Sequence, residues 1–360
     1  MAPGIADPAA GPAPSTADPE VPRDVSSGIT VPGSGRRLVV VVIYTSPLDT
    51  DFPRSLVDPN QNTIFFTHGA SPRAPGDTGR MDLYHRVTGA GPTVVLIHGV
   101  CHRGHAWDPV VPLLEDRYRL VIVDLPGHGN SPDLPEEGDP VEYMVDQLTT
   151  MLDGILPPGE RAHFAGNSLG GFLALEMAAR GHAHSATALS PAGFFRSYAD
   201  WRYTITVFHS LQKVAGKLGR YIPALSQRAA GRALMMGAFC ARPWQYGAEA
   251  AAIDGEAIIT NTVLDRADRR AFVFTAPVDE DVPLTIRWGR FDLVLPAAQR
   301  QLAARLFPRA RIEISADGHV PMSDDPRGVA DSIAATVERG LARDRELARD
   351  TELAAEGVAG

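Results

Sequence analysis

Gly166-Asn167-Ser168-Leu169-Gly170 follows the short apolar run Ala162-His163-Phe164-Ala165 and leads into Gly171-Phe172-Leu173-Ala174-Leu175-Glu176-Met177-Ala178, whose spacing is helical. A strand, one Gly-x-Ser-x-Gly turn and a helix together lift a serine hydroxyl onto a tight elbow. The serine needs unusual backbone angles there, so the positions two before and two after it must be small. Gly166 and Gly170 meet that demand, and Gly171 lets the helix pack closely on its strand. A pentapeptide with three fixed positions recurs by chance, so the rest of the chain decides what it means.

The rest of the chain supplies partners in order. Pro92-Thr93-Val94-Val95-Leu96-Ile97 reads as a buried strand ending in His98-Gly99-Val100. Downstream, Pro283-Leu284-Thr285-Ile286-Arg287-Trp288-Gly289 reads as another, followed by Arg290-Phe291-Asp292. Ala310-Arg311-Ile312-Glu313-Ile314 is a third, followed by Asp317-Gly318-His319. With Asp124-Leu125-Pro126-Gly127-His128-Gly129-Asn130-Ser131 and Gly318-His319-Val320-Pro321, the chain resembles the α/β-hydrolase superfamily, in which serine, acid and histidine follow one another in this order. The resemblance covers 81–341, with the part after Pro191 matched only in character.

Composition narrows the class of partner. A chain of 360 residues can bury a large core, and 44% hydrophobic residues is ordinary for a globular protein. A net charge of −9 and a pI near 5.7 argue against nucleic acid and anionic membrane, leaving a small molecule as the expected partner. The two cysteines, Cys101 and Cys240, make no disulfide framework and fit a reducing cytoplasm. The run from Leu38 to Tyr44 is too short to span a bilayer, and no basic segment precedes an apolar stretch as in a signal peptide. Oligomeric state is not legible.

Residues 1–36 are rich in Pro, Ala, Gly, Ser and Asp and are expected to be disordered. In 37–80 the runs Leu38–Tyr44 and Thr63–Thr67 are candidate strands among prolines and glycines, so 1–80 reads as a disordered or weakly structured appendage, or an over-extended start. Met81–Val87 and the turn Thr88–Pro92 open the fold as a hairpin; His105–Tyr118 is helix-like, Arg119–Asp124 a strand, about Val141–Ile155 a helix and Ala186–Ser190 a strand. Alternating strands and helices imply an α/β protein: a mostly parallel, doubly wound sheet. Its two core parts are expected at 81–191 and 278–347, and ligands in such sheets sit at the carboxyl ends of strands, where the motif residues lie. Between them, 192–277 carries helical patterns such as Phe208–Leu218 and Ser226–Phe239 and reads as an inserted helical cap. Most of its apolar residues, among them Phe194, Tyr198, Trp201, Tyr203 and Trp244, are expected in the core. A helix from Arg327 to about Leu347 closes the fold, and 348–360 reads as a flexible tail.

The resemblance implies a triad. Ser168 would be the nucleophile, His319 the base that takes its proton and passes it to the leaving group, and Asp292 the acid that holds the imidazole in its tautomer. Asp317, Asp279 and Asp281 are competing candidates for the acid; Asp317 lies too close to His319 in sequence to reach it from a separate strand end. Oxyanion donors are expected at the backbone N–H groups of Leu169 and Val100, and losing one such donor costs about 10²–10³ in rate. The loop lacks the three glycines of some esterases and the Gly-Pro-Gly of carbon–carbon bond hydrolases. Asp124 reads as a structural tie for backbone N–H groups. His98, Cys101, His102 and His105 invite a metal, but no second cysteine completes a ligand set at a familiar spacing, so neither metal nor cofactor is expected. The leading expectation is hydrolysis of an ester or related acyl bond of a small, moderately apolar molecule through an acyl-serine. A cofactor-free lyase or carbon–carbon bond hydrolase, or a non-catalytic ligand-binding relative, stays open beside it.

Overall fold

The computed structural model describes residues 83–266 and 268–358 together with three short strands nearer the N-terminus. Those strands, β1 (Val25–Thr30), β2 (Arg37–Val42) and β3 (Thr63–Phe65), form a small sheet within a compact unit of their own. β1 runs antiparallel to β2, and β3 parallel to it. β2 and β3 fall in the two runs read as strands, and β1 falls inside 1–36, expected to be disordered. The rest of the expectation for 1–80 concerns residues outside those described.

The main sheet has seven strands: β4 (His85–Thr88), β5 (Thr93–Ile97), β6 (Arg119–Val123), β7 (Ala162–Asn167), β8 (Ala183–Leu189), β9 (Leu284–Gly289) and β10 (Arg311–Ser315). Their spatial order is β10-β9-β8-β7-β5-β6-β4, parallel throughout except for β4 against β6. Strands β5, β7 and β9 are buried along their whole length; β5 reads as an apolar run after Thr93, whereas β9 alternates Leu284, Ile286 and Trp288 with Thr285 and Arg287. Edge strand β10 is half exposed and carries Arg311 and Glu313.

Two local expectations are corrected. The chain from β4 to β5 is no hairpin: β4 pairs with β6, because both edges of β5 are already taken by parallel neighbours. Gly89 (φ 74°) turns the chain over the segment before β6; a side chain there would run into the carbonyls of Glu115 and Tyr118. His105–Tyr118 is not an α-helix but two 3₁₀ turns, Gly104–Trp107 and Val111–Leu113. Pro109 and Pro112 each remove an N–H donor and clash with a preceding turn.

The helices follow their caps. α1 (Pro140–Ile155) starts where the Asp139 carboxylate accepts the N–H groups of Val141 and Glu142 at 2.8 and 3.3 Å, with Pro140 at the first helical position. α2 (Leu169–Ala179) is apolar except for Glu176, whose buried carboxylate pairs with Arg180 at 2.8 Å, and only Ala179 is not fully buried, as befits a helix wedged against β7 and β8. Between β8 and β9 come α3 (Tyr198–Leu218), α4 (Ile222–Ser226), α5 (Ala229–Met236), α6 (Ala248–Thr260) and α7 (Val263–Arg266), inside the segment read as a cap. Phe194, Phe195, Trp201, Phe208, Met236 and Phe239 are buried as expected, whereas Tyr198, Tyr203 and Trp244 are exposed. After β9 follow α8 (Arg300–Leu306), α9 (Pro321–Asp324) and α10 (Pro326–Val358), the last continuing well into the segment read as a tail. Among the described residues, no helix is long and apolar enough to cross a membrane.

Candidate active site

Ser168 occupies the junction of β7 and α2 with φ 55° and ψ −115°, a left-handed conformation costly for any residue with a Cβ. The junction is closed on both sides. A side chain at Gly166 would collide with the carbonyl of Gly170, and one at Gly170 with the carbonyl of Ile97 at the end of β5. Backbone bonds lock the turn: Ser168 N–H donates to Leu189 O at 3.0 Å, and Ser168 O accepts from Phe172 and Ala192 at 3.0 Å.

The loop after β9 presents Asp292, whose side chain is fully buried. Its Oδ1 accepts the N–H groups of Val294 and Leu295 at 2.8 and 2.7 Å, leaving Oδ2 to accept from His319 Nδ1 at 2.9 Å. A carboxylate bonded in this way fixes the ring and leaves its Nε2 free to accept a proton. The competing acids are occupied or remote. Asp317 Oδ2 pairs with Arg287 at 2.8 Å, Asp281 with Arg343 at 2.6 Å, and Asp279 and Asp281 are exposed.

Asn167, to which the sequence reading gave no role, joins the two halves. Its Nδ2 donates to Leu189 O at 3.0 Å and to the backbone carbonyl of His319 at 2.8 Å, so the histidine loop is bonded to the residue preceding Ser168. Asp324 was missed as well. Its carboxylate accepts the N–H groups of Gly318, Ala241 and Arg242, each at 2.8 Å, tying the histidine loop to the segment after α5. The only signal in the sequence was the run Ser323-Asp324-Asp325 soon after His319.

The entrance loop after β5 is held from below. His98 Nδ1–H donates to Gly99 O at 2.7 Å, and Nε2 accepts from Leu125 N–H at 2.9 Å; burial and the nearby His128 keep the ring neutral. Asp124 bonds the N–H groups of Gly104 and Asn130 at 2.6 and 2.9 Å, the structural role read for it. Gly99 allows the close approach: a Cβ there would lie 3.1 Å from that of Ser168. Val100 and Leu169 therefore border the same narrow chamber as Ser168, lined also by Phe195, Trp201, Thr204, Phe208 and Phe272 from the segment between β8 and β9. Tyr203 Oη and Thr204 Oγ1 donate to Leu293 O and Val294 O at 2.7 and 3.1 Å, bonding α3 to the Asp292 loop.

His102 and His105 approach buried Asp254 of α6, at 3.9 and 3.0 Å. Burial penalises that carboxylate's charge, but His102, His105 (Nε2 at 3.0 Å) and the Tyr246 hydroxyl (2.6 Å) outweigh it and hold the carboxyl below its usual range. Burial raises the Cys101 thiol well above the usual value, which leaves it a packing group.

Residues 94–332 match the model of the alpha/beta hydrolase family. The chain is 31% identical over 266 residues to a pimeloyl-(acyl-carrier protein) methyl ester esterase of Aeromonas hydrophila, covering 66% of this chain and 92% of that one. It is 30% identical to a protein of the same name from Stenotrophomonas maltophilia, over 72% and 96% of the two chains. Among solved structures, a thermophilic esterase from Thermogutta terrifontis superposes with a TM-score of 0.53 at 20% identity, covering 72% of this chain and 93% of the other.

Proposed function

Since the chain belongs to the alpha/beta hydrolase family, we propose that it hydrolyses a carboxylic ester of a small, moderately apolar molecule through an acyl-Ser168 intermediate. The observation that carries this reading is the Asp292–His319 pair at 2.9 Å, bonded through Asn167 to the serine elbow. The methyl ester esterases similar to this chain support an ester over other acyl bonds.

Ser168 Oγ attacks the ester carbonyl as its proton passes to His319 Nε2, and Asp292 stabilises the imidazolium that forms. The carbonyl oxygen takes the negative charge between the N–H groups of Leu169 and Val100. Leu169 sits in the first turn of α2, where N–H groups have no partner within the helix and the dipole favours an anion. When the tetrahedral adduct collapses, the C–O bond to the alcohol breaks and Nε2 returns its proton to the departing oxygen. Water then gives a proton to Nε2, adds to the acyl carbon, and releases the carboxylic acid and free Ser168. Every proton is moved by the chain's own residues, so no metal or cofactor is required.

The test is a fluorophosphonate probe with initial rates on aryl and methyl esters. Ser168→Ala should abolish both labelling and turnover while the thermal transition persists. Turnover that survives Ser168→Ala would overturn the reading.

A further inference from the structure

Cap helix α3 borders two cavities in succession. Thr204, Ile205 and Phe208 face the chamber of Ser168, while Leu211, Ala215 and Leu218, on later turns of the same stripe, wall a second pocket. That pocket is a narrow apolar cleft, partly open to solvent, and its other walls come from α4, α5 and α6. Its floor is Cys101 and His102, the residues after Val100. Between them stand two neighbouring buried rings, Phe208 lining the chamber and Phe239 lining the outer pocket, with centroids 6.1 Å apart. From Phe208 to Leu218 the helix advances about 15 Å. At the outer end the rim is apolar yet exposed: Val214 is 50% and Leu234 63% accessible.

Resting on the reading of Ser168 as an ester-cleaving nucleophile, we propose that this outer pocket takes the linear hydrocarbon chain of the ester, threaded past Phe208 and Phe239, with its far end at the cap surface by Val214 and Leu234. The walls ask for no charge. Asp254 borders the pocket, but its carboxylate is engaged by Tyr246 and lies beside His105. A methylene chain passes between the two rings when one of them rotates, whereas a branched or ring-bearing chain is too wide. Because the outer end opens to solvent, activity should rise with chain length and show no sharp cut-off. The groove suits a chain on either side of the ester bond.

Ala215→Trp fills the outer pocket from α3, and Leu211→Trp does the same if the first variant does not fold. In one arm, kcat/KM is measured on p-nitrophenyl acetate, octanoate and dodecanoate; in the other, on methyl, octyl and dodecyl acetates. The long-to-short ratio should fall by about tenfold or more in the arm whose chain occupies the pocket, because several buried methylenes lose their contacts. In parallel, dodecanoate and dodecanol are used to displace anilinonaphthalene sulfonate from wild type, Ser168→Ala and the Trp variant. Displacement should occur with the first two and be lost with the third. Esters cleaved with unchanged ratios and unchanged displacement would overturn the pocket while leaving the ester reading intact. No ester cleaved at any length, with the displacement difference preserved, would overturn the ester reading while the chain pocket stands.

Discussion

Asn167→Ala is the sharpest test of how the site is assembled. The substitution removes two buried hydrogen bonds, to Leu189 O and His319 O. Leu189 O keeps its bond from Ser168 N–H, so the carbonyl losing this donor without that reserve is His319's. Leaving a buried carbonyl unpaired costs about 1–3 kcal/mol. For a domain of this size each kcal/mol lowers the melting temperature by roughly 2–4 °C, so the variant should still be folded under assay conditions. The effect on turnover should exceed what that loss alone would cause. With the tether gone, the His319 loop is held by Asp324 and by the Asp292 bond, and a shift of about 1 Å in a catalytic group can cost ~10²-fold in rate. Initial rates on p-nitrophenyl acetate, normalised to sites titrated with a fluorophosphonate, should show kcat falling by about 10–100-fold with little change in KM. Asn167→Asp should be no better, since it places an acceptor against two acceptors. A variant with lowered melting temperature but wild-type kcat per active site would refute the positioning argument. An unchanged melting temperature would refute the hydrogen bonds themselves.

Three further outcomes follow from the same geometry. Asp292→Asn keeps the shape but presents a donor or a weak acceptor to His319 Nδ1, favouring the wrong tautomer; kcat should fall by ~10⁴ with the fold intact by circular dichroism, and a loss below tenfold would return the acid's role to another residue. His128 is buried neutral, its ring donating to Pro126 O and accepting from Asn261 Nδ2 of the cap at 2.9 Å; burial lowers its pKa from 6.5 to about 4. The unfolded chain therefore binds more protons below pH 6.5, and stability is lost as pH falls from 6.5 towards 4, by about 3 kcal/mol from this group. His163, lowered to about 4 by burial beside His184, adds a parallel loss. His128→Gln should flatten the melting temperature against pH across that window, and parallel curves would rule the linkage out. Gly99→Ala should slow acylation, because its Cβ would press on Ser168 Cβ at 3.1 Å and the Asn167 carbonyl at 3.3 Å; a wild-type fluorophosphonate labelling rate would contradict the close packing of the entrance loop.

What could be read from the chain follows the range of the interactions. β5 was legible because a strand covered on both faces is apolar nearly throughout, β7 because the serine elbow follows it, β9 because Leu284, Ile286 and Trp288 alternate, and α1 because Asp139-Pro140 is a local start signal. The place of β4 was not, because pairing with β6 rather than β5 depends on which edges other strands have filled. The segment 105–118 had helical spacing, yet its two prolines outweighed that pattern. Asn167 gave no sign of its work because its partner carbonyl lies 152 positions away. Between β8 and β9, Tyr203 and Trp244 read as core because aromatic character does not tell which side of a helix is covered.

Carboxylates around the site show why partner, not position, decides a role. Asp124, Asp292 and Asp324 are all buried, and all accept backbone N–H groups at 2.6 to 2.9 Å, the short lengths of charge-assisted bonds. Asp124 and Asp324 use both oxygens on such groups, so their charge goes into holding loops. Asp292 satisfies its two N–H donors with Oδ1 alone, and the neighbouring N–H groups of Val294 and Leu295 make this possible by pointing at one atom. The oxygen thereby left over faces His319. Replacing Asp124 or Asp324 by Asn should cost stability first and activity through it, whereas the same change at Asp292 should cost activity first. The shared chemistry of the three residues makes that contrast a test of geometry.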